Sequence, residues 1–287
     1  MHTAKPFPVP LVPALGPGSQ PDDEALGLLP MPRNMRTFDA PPLPEPQAFA
    51  ARQRALGVLH EAQVLLQRSL AGEAVAPIDL RELPAADRAL VNQVLGEGEV
   101  AAQLAAPQAM QAQESVFAGI WRVLAFDGAV PLADTLEVGP FPQGIALAAR
   151  ERAQAMPPLP APLPAGAMNA PAVLEELRSR AAAWQPGTPA HVVNLSLLPV
   201  TPGDSELFEA VLGRGAAVIL SRGYGNCRIS STGVRHVWRV TYFNSQDMII
   251  LDTLEVGDVP EVACAAREDL QDSAERLADV LQWVQST

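Results

Sequence analysis

The side chains best suited to catalysis or metal binding lie in the C-terminal part of the chain. Cys227 and His236 could act as a thiol and its base or as two metal ligands, and a hydrolase triad would need the residue types found at Ser230, Ser231, His236 and Asp252. However, no second pair of residues has metal-ligand spacing, and no Gly-x-Ser-x-Gly turn is present to expose a serine nucleophile. The four histidines are scattered along the chain. The sequence therefore predicts no catalytic residue, no metal site and no cofactor.

The hexapeptide Gly223-Tyr224-Gly225-Asn226-Cys227-Arg228 combines glycine, aromatic, thiol and cationic side chains in one short segment. A hairpin turn would explain its glycines and its asparagine, because these residues adopt positive φ readily. A turn needs neither cysteine nor arginine nor tyrosine, so we interpret the segment as a binding loop. It lacks the third glycine and the following helix of a dinucleotide-binding loop. The predicted partner contacts are Tyr224, Asn226, Cys227 and Arg228.

Two stretches of the chain, residues 95–139 and 212–257, repeat one sequence pattern. Three blocks of the first stretch recur in the second: Leu95 to Gly98 as Leu212 to Gly215, Trp121-Arg122-Val123 as Trp238-Arg239-Val240, and Asp134 to Gly139 as Asp252 to Gly257. Trp121 and Trp238 are separated by 117 positions and Asp134 and Asp252 by 118, so one inserted residue explains the difference. Matching blocks with matching gaps indicate a tandem duplication. The counterpart of the hexapeptide, residues 106–111, shares none of its character, so the binding loop is expected only in the second copy.

Each copy is predicted to contain the same order of elements. Helical spacing of apolar residues predicts helices over residues 48–70 and 172–184. A short strand (78–80; 192–197) and a second helix ending at residue 95 or 212 follow, and Thr201 should cap the latter helix. Three strands come next, at 98–104, 116–126 and 131–138 and at 215–221, 234–243 and 248–256, before a last helix at 143–155 and 261–285. The predicted fold class is α+β, a tandem duplication of a unit with a small, mainly antiparallel sheet covered by helices, preceded by a Pro-rich extended tail.

Charged residues occupy the same places in otherwise apolar strands of both copies. A carboxylate in such a strand is costly unless it is paired. Arg122 is therefore predicted to approach Asp134 or Glu137, and Arg239 to approach Asp252 or Glu255, as structural ion pairs. Trp121 and Trp238 alternate with valines, so both should face the core.

Two proline-rich segments divide the chain. Proline removes an N–H donor and fixes its own φ, so the many prolines of the first segment favour extended conformations, and the second segment reads as a semi-rigid spacer. The predicted organisation is a Pro-rich tail at 1–46, a first repeat at 47–156, a Pro-rich linker at 157–170 and a second repeat at 171–287. Within the tail, residues 27–38 are apolar enough to dock, and Met31, Pro32 and Arg33 are predicted partner contacts.

The net charge limits the class of partner. The chain has 20 lysines and arginines against 32 aspartates and glutamates, a formal charge of −12, which argues against binding nucleic acid or an anionic membrane surface. The N-terminal region shows neither an export signal nor a hydrophobic stretch long enough for membrane insertion, so we expect a cytoplasmic protein. Two cysteines, Cys227 and Cys264, are too few for a disulfide framework.

Three stretches resemble the HupH/HyaF family, whose members are encoded in operons for uptake NiFe hydrogenases. They are Leu28 to Phe38, Glu114 to Val123, and the segment from Gly213 through Pro260 that contains the hexapeptide. The resemblance implies a non-enzymatic chaperone of hydrogenase maturation. It would hold the iron–sulfur small subunit before assembly with the large subunit and export by the twin-arginine route. Another hydrogenase accessory protein is a further expected partner.

Two alternatives stay open at this point. In the first, Cys227 serves a thiol-dependent redox or cluster-handling helper, with Arg228 lowering the pKa of its thiol. In the second, the chain is a non-catalytic assembly scaffold that binds another accessory factor through the Pro-rich tail.

Overall fold

The structure is a computed structural model that describes residues 44–223 and 225–285. The described part of the first repeat consists of the following elements in chain order: α1 (Pro46–Ala50), α2 (Gln53–Leu70), β1 (Ile78–Asp79), α3 (Ala85–Leu95), β2 (Val100–Leu104), β3 (Ala109–Glu114), β4 (Ile120–Asp127), β5 (Val130–Val138) and α4 (Gln143–Arg152). The second repeat follows the same order: α5 (Ala170–Ala183), β6 (His191–Asn194), a 3-10 turn (Leu195–Leu197), α6 (Pro202–Leu212), β7 (Ala217–Ser221), β8 (Asn226–Ser231), β9 (Val237–Phe243), β10 (Ile249–Val256), a second 3-10 turn (Glu261–Ala263) and α7 (Arg267–Gln285).

The α+β class and the duplication are confirmed, but the structure differs from the predicted elements in three main respects. Each repeat has one strand more than predicted in its sheet, β3 and β8, because Ala, Gln and Ser have low strand propensity and only the pairing with both neighbours holds these segments extended. The helix predicted at 48–70 is split into α1 and α2, and Asp87 caps the start of α2 by accepting a hydrogen bond from the N–H of Ala55 at 3.2 Å. The helix predicted at 261–285 is interrupted at Cys264, which is extended, and α7 begins three residues later.

All ten strands form one sheet, with the order β1-β5-β4-β3-β2-β7-β8-β9-β10-β6. The ladders between neighbouring strands are antiparallel. The repeats join where β2 pairs with β7, and there Ala102 lies directly opposite Ile219. These two residues are separated by 117 positions, the same offset as the repeated tryptophans, so they are equivalent. A pseudo-twofold axis therefore passes through this residue pair, at the centre of the sheet.

Helices cover the two faces of the sheet in different places. On one face, here the upper face, α2, α3 and α7 form a core with the outer strands of the first repeat, and α5 and α6 form a core with the outer strands of the second. On the lower face, α4 and the 3-10 turn Glu261–Ala263 cover the central strands. Trp121 and Trp238 are both buried in this lower core, as predicted. No helix in the described ranges has the length and apolar character that a membrane span requires.

Candidate functional site

The centre of the upper face is not covered by any of these cores. Residues directly opposite each other in an antiparallel ladder point to the same face, and alternate residues point to opposite faces. The upper-face residues through which the four central strands pair with one another are Gln111 and Gln113 on β3, Ala101 and Gln103 on β2, Val218 and Leu220 on β7, and Arg228 and Ser230 on β8. None of these eight side chains is buried or packs against a hydrophobic core, whereas their lower-face neighbours are. We call these eight residues the central strip.

The central strip is duplicated in position but not in chemistry. Each member has an equivalent 117 positions away, and the equivalent of Gln111 is Arg228. Gln113 donates hydrogen bonds from its amide to the carbonyl oxygens of Gly98 and Val100, both at 3.2 Å. Within the described residues, Arg228 makes no side-chain hydrogen bond and no ion pair. The strip therefore offers an amide surface with one uncompensated positive charge, on the side of the second repeat.

Paired charges lie at the two margins of the strip. Arg122 contacts both carboxylate oxygens of Asp134, at 3.1 and 3.0 Å, and Arg239 contacts those of Asp252 at 2.9 and 2.7 Å. These are the first of the two partners that the sequence allowed for each arginine. Glu137 and Glu255 point to the lower face instead, where burial raises the pKa of both carboxyls. Because the marginal arginines are neutralised by their partners, Arg228 dominates the charge of the surface between them.

The last three residues of the hexapeptide, Asn226, Cys227 and Arg228, begin β8. Before this strand, Gly225 has a φ of +98°, and the N–H of Arg222 donates to the carbonyl oxygen of Glu99 at 3.1 Å. Asn226 begins β8 on the upper face, opposite Phe243, and is half-buried. Asn226 and Arg228 are therefore accessible from one direction. Tyr224 and the tail residues Met31, Pro32 and Arg33 lie outside the described residues, and their contacts stay predictions, as does the scaffold function assigned to the tail.

Cys227 cannot be a surface contact, and its inclusion in the predicted set is corrected. Its side chain is 1 % exposed and packs in the lower-face core. Burial raises the pKa of its thiol to about 12, and the nearby Glu255 carboxylate acts in the same direction. Arg228 follows Cys227 in β8 and so points to the opposite face, where it does not stabilise a thiolate. The redox interpretation therefore loses its stated basis.

We expect both thiols to resist modification in the folded protein. Burial raises the pKa of Cys264 to about 12 as well, and the thiolate is the reactive form. Treatment with Ellman's reagent at pH 8 should modify neither cysteine in native protein and both after unfolding in guanidinium. Rapid modification of one thiol in the native protein would contradict this expectation and reopen the redox interpretation.

The other side chains that were considered for catalysis are engaged in packing, hydrogen bonds or ion pairs. The His236 ring stacks on Trp184 with ring centroids 3.9 Å apart, and burial lowers the pKa of the imidazole. The hydroxyl of Ser231 bonds the backbone of Ala217, and Asp252 is held by Arg239. Residues 44–223 and 225–285 contain no group of three or more His, Cys, Asp or Glu side chains arranged to hold a metal ion. The hydroxyl, imidazole and carboxylate that a hydrolase triad would need are thus each bound to a different partner.

Reasoning from the sequence missed six of the eight members of the central strip. Only Arg228 was singled out as a contact, and Ser230 was considered for a different role. A signal was present in the gaps between the predicted strands at 98–104 and 116–126 and at 215–221 and 234–243, since each gap is long enough for one more strand. With these strands in place, the alternation of Met110 and Ala112 with Gln111 and Gln113 would have indicated a polar upper face on β3.

Comparison with known proteins gives one consistent result. The family model described as "HupH hydrogenase expression protein, C-terminal conserved region" matches twice, at residues 53–160 and 167–284. The chain is 48% identical over 282 residues to the hydrogenase expression/formation protein HoxQ of Cupriavidus necator, covering 98% of this chain and 99% of HoxQ. It is 45% identical to the hydrogenase expression/formation protein HupH of Rhodobacter capsulatus, over 94% of this chain and 95% of that protein. It is 34% identical to the hydrogenase-1 operon protein HyaF of Escherichia coli, over 94% of this chain and 95% of HyaF.

The double match of the family model coincides with the two repeats seen in the sheet, and the similarity to HoxQ, HupH and HyaF extends over nearly the whole chain. The resemblance noted in the sequence is thus confirmed, and the chain belongs to the HupH family of hydrogenase expression proteins.

Proposed function

We propose that this protein is a chaperone in the maturation of an uptake NiFe hydrogenase, and that it holds the iron–sulfur small subunit before the large subunit joins it. In this proposal the protein acts in the cytoplasm, needs no cofactor and catalyses no reaction. The names of its relatives support an accessory role in hydrogenase expression or formation. The small subunit as client, the uptake hydrogenase and the cytoplasmic location are our additions to that role.

One observation supports a holding function above the others: the central strip. It is built from both repeats around the pseudo-twofold axis, so its shape depends on the intact duplication. Its side chains are three amides, three apolar groups, one hydroxyl and one arginine, which can bind an extended or loop segment through hydrogen bonds and one charge. A catalytic site would instead need a nucleophile beside an activating base, and Ser230, the hydroxyl of the strip, has no histidine or carboxylate among the other seven members.

The charge of the whole chain suggests how the client is attracted. At −12 the protein attracts basic segments over a distance set by the ionic strength, and the twin arginines of a small-subunit signal peptide are such a segment. Arg228 has the opposite preference and would orient a carboxylate or a backbone carbonyl of the client. The long-range attraction and the local contact therefore select different parts of one partner.

Replacing Arg228 by Gln gives the second repeat the side chain that the first repeat has at the equivalent position, residue 111. We expect about a tenfold weaker association with the small-subunit precursor, because a hydrogen bond to a charged group is worth about 1.5–3 kcal/mol. The measurement is co-purification of the tagged precursor from cells that express both proteins, followed by titration of the purified pair.

Gln111→Ala is the matched control, since it alters the same strip on the uncharged side and should change the affinity by no more than about twofold. Thermal unfolding of both variants verifies that they are folded. Unchanged affinity of Arg228→Gln would remove the strip as the contact surface. Failure of the unmodified protein to retain the small subunit, with retention of another hydrogenase component, would refute the assigned client.

A further inference from the structure

A cavity of about 280 Å³, partly open to solvent, lies in the second repeat. Its lining comes from the last turn of α5, the connection between α5 and β6, the first residue of β6 and the last residue of β10. None of the eight residues of the central strip contributes to it. Small-molecule sites usually measure about 300–1,000 Å³, so this cavity suits a small ligand or one residue of a longer chain.

A tight turn forms one wall of the cavity. In Gln185-Pro186-Gly187-Thr188 the last N–H donates to the first carbonyl oxygen at 3.0 Å, and Gly187 has a φ of +83°. Proline at the second position and glycine with positive φ at the third define a type II turn. The hydroxyl of Thr188 accepts the N–H of Gln185 at 3.2 Å and keeps its own proton for another acceptor. Thr188 and Pro189, which line the cavity, are therefore held in place by local bonds.

One donor in the cavity lining has no acceptor. The Nε1 of Trp184 is buried and makes no hydrogen bond within the described residues. The indoles of Trp121 and Trp238, in contrast, donate to backbone carbonyl oxygens. Stacking on His236 holds the ring of Trp184 in this position. A buried donor without an acceptor is costly and uncommon in native proteins, so this indole indicates a ligand that accepts a hydrogen bond.

A positive charge lies one helical turn before this donor. Arg180 lines the cavity from the last turn of α5, and within the described chain its side chain makes no hydrogen bond and no ion pair. Glu176, four residues earlier on the same helix, is bonded to the Nε2 of His191 at 2.8 Å. The carbonyl end of α5 disfavours an anion, so binding of one should depend strongly on Arg180. The rest of the lining is apolar: Ala183, Pro189, Ala190 and Val256.

We propose that this cavity binds an organic carboxylate that carries a small apolar group. The carboxylate would accept hydrogen bonds from Arg180 and from the indole of Trp184, and the apolar group would lie against Val256 and its neighbours. A phosphate dianion suits the site less well, because the lining is half apolar and the chain's charge of −12 repels two negative charges more than one. A free organic acid and the C-terminal residue of a polypeptide both have this chemistry. The inference does not depend on the proposed function.

The indole N–H of Trp184 can report occupancy directly in proton–nitrogen NMR spectra of the full chain. Trp184→Phe identifies its signal among those of the four tryptophans. Titration with N-acetylvaline should shift this signal saturably, with a dissociation constant in the millimolar range expected for so small a ligand. The signals of Trp121 and Trp238, whose donors are already bonded, should stay in place. N-acetylvalinamide, which lacks the carboxylate, and inorganic phosphate should leave the Trp184 signal unchanged.

Arg180→Gln should weaken binding of N-acetylvaline about tenfold, because it removes the charged donor. Arg68→Gln is the matched control: it removes the same charge from the last turn of α2, in the first repeat, and should have no measurable effect. Both arginines are exposed, and thermal unfolding verifies that the variants are folded.

Two peptides distinguish the possible sources of the carboxylate. Tighter binding of a short peptide that ends in valine than of N-acetylvaline, lost on amidation of its C-terminus, would identify the end of a polypeptide as the ligand. Equal or weaker binding of the peptide would identify a free acid. An unmoved Trp184 signal with both probes, equal binding of N-acetylvalinamide or phosphate, or insensitivity to Arg180→Gln would overturn the proposal. None of these measurements involves a hydrogenase, so their failure is separate from failure of the proposed function.

Discussion

Replacing Asp204 with Ala is expected to destabilise the fold by about 4 kcal/mol, because the loss of its buried, charged carboxylate would leave several hydrogen-bond donors unpaired. Its side chain is fully buried at the start of α6. One carboxylate oxygen accepts the N–H groups of Met168, Asn169 and Ala170 at 2.7 to 2.9 Å, and the other accepts the N–H and the hydroxyl of Thr201, both at 3.0 Å. One residue thus fixes the end of the proline-rich linker, the start of α5 and the cap of α6.

The first repeat supplies the control. Asp87 is the equivalent of Asp204, 117 positions earlier, and is also buried, but its carboxylate accepts one backbone hydrogen bond, from Ala55 at 3.2 Å. Asp87→Ala should therefore cost only about 1–2 kcal/mol. Urea unfolding of both variants at pH 7 measures the difference. Equal destabilisation by the two substitutions would show that the hydrogen-bond count does not set the cost.

The same residue predicts acid sensitivity. Burial alone would raise the pKa of Asp204, but the hydrogen bonds from Ala170, Thr201 and Met168 outweigh it and lower the pKa to about 2. A depressed pKa in the folded state means that this stabilisation is complete above the ordinary value of 3.8 and is lost as the pH falls towards 2.

The features that were predictable from the sequence depend on local order. Short stretches of sequence are enough to recognise the repeated blocks, the amphipathic spacing of α2 and α5, and the cap formed by Thr201-Pro202-Gly203-Asp204. The ion pairs Arg122 with Asp134 and Arg239 with Asp252 were also accessible. Adjacent strands of a hairpin bring such residues together, and an unpaired carboxylate is costly.

The features that were not predictable depend on pairing between distant segments. Nothing local in β2 or β7 indicates that they pair with each other and merge two sheets into one. Which face Cys227 occupies follows only from the register of β8 against its neighbours, and a shift by one residue would have exposed the thiol and buried Arg228. Met156, Leu159 and Ala167, in and beside the predicted linker, pack against the core of the second repeat, because proline content reports backbone stiffness but not what the backbone covers.

The two repeats have diverged mainly where packing leaves freedom. The tryptophans and ion pairs that build the sheet are kept in both copies, whereas Gln111 is replaced by Arg228 on the open face. A lower-face position also differs: Glu114 in the first repeat corresponds to Ser231 in the second. The serine bonds the backbone of Ala217, but the glutamate introduces an ionisable group into a buried site.

Glu114 should make the stability of the protein fall as the pH rises from about 5 to about 8. Its side chain is buried and accepts a hydrogen bond from the N–H of Gly119 at 3.2 Å. Burial raises the pKa of this carboxyl from 4.5 to about 7, and the nearby Glu99 and Asp269 carboxylates act in the same direction. When the folded-state pKa is the higher one, the stabilisation is complete below the unfolded value and is lost as the pH rises through the folded value. At about 1.4 kcal/mol per pKa unit, the loss amounts to about 3 kcal/mol.

Glu114→Gln removes the titrating proton while keeping the size of the side chain, so its advantage over the unmodified protein should grow by about 3 kcal/mol between pH 5 and pH 8. Urea unfolding of both proteins at several pH values gives the two stability profiles. Their difference isolates Glu114 from Glu137 and Glu255, whose pKa values burial also raises and whose contributions are common to both proteins. Glu97→Gln, on the exposed connection before β2, controls for the loss of one carboxylate. Parallel profiles for the unmodified protein and Glu114→Gln would mean that Glu114 is charged in the fold at neutral pH, which the burial of its side chain opposes.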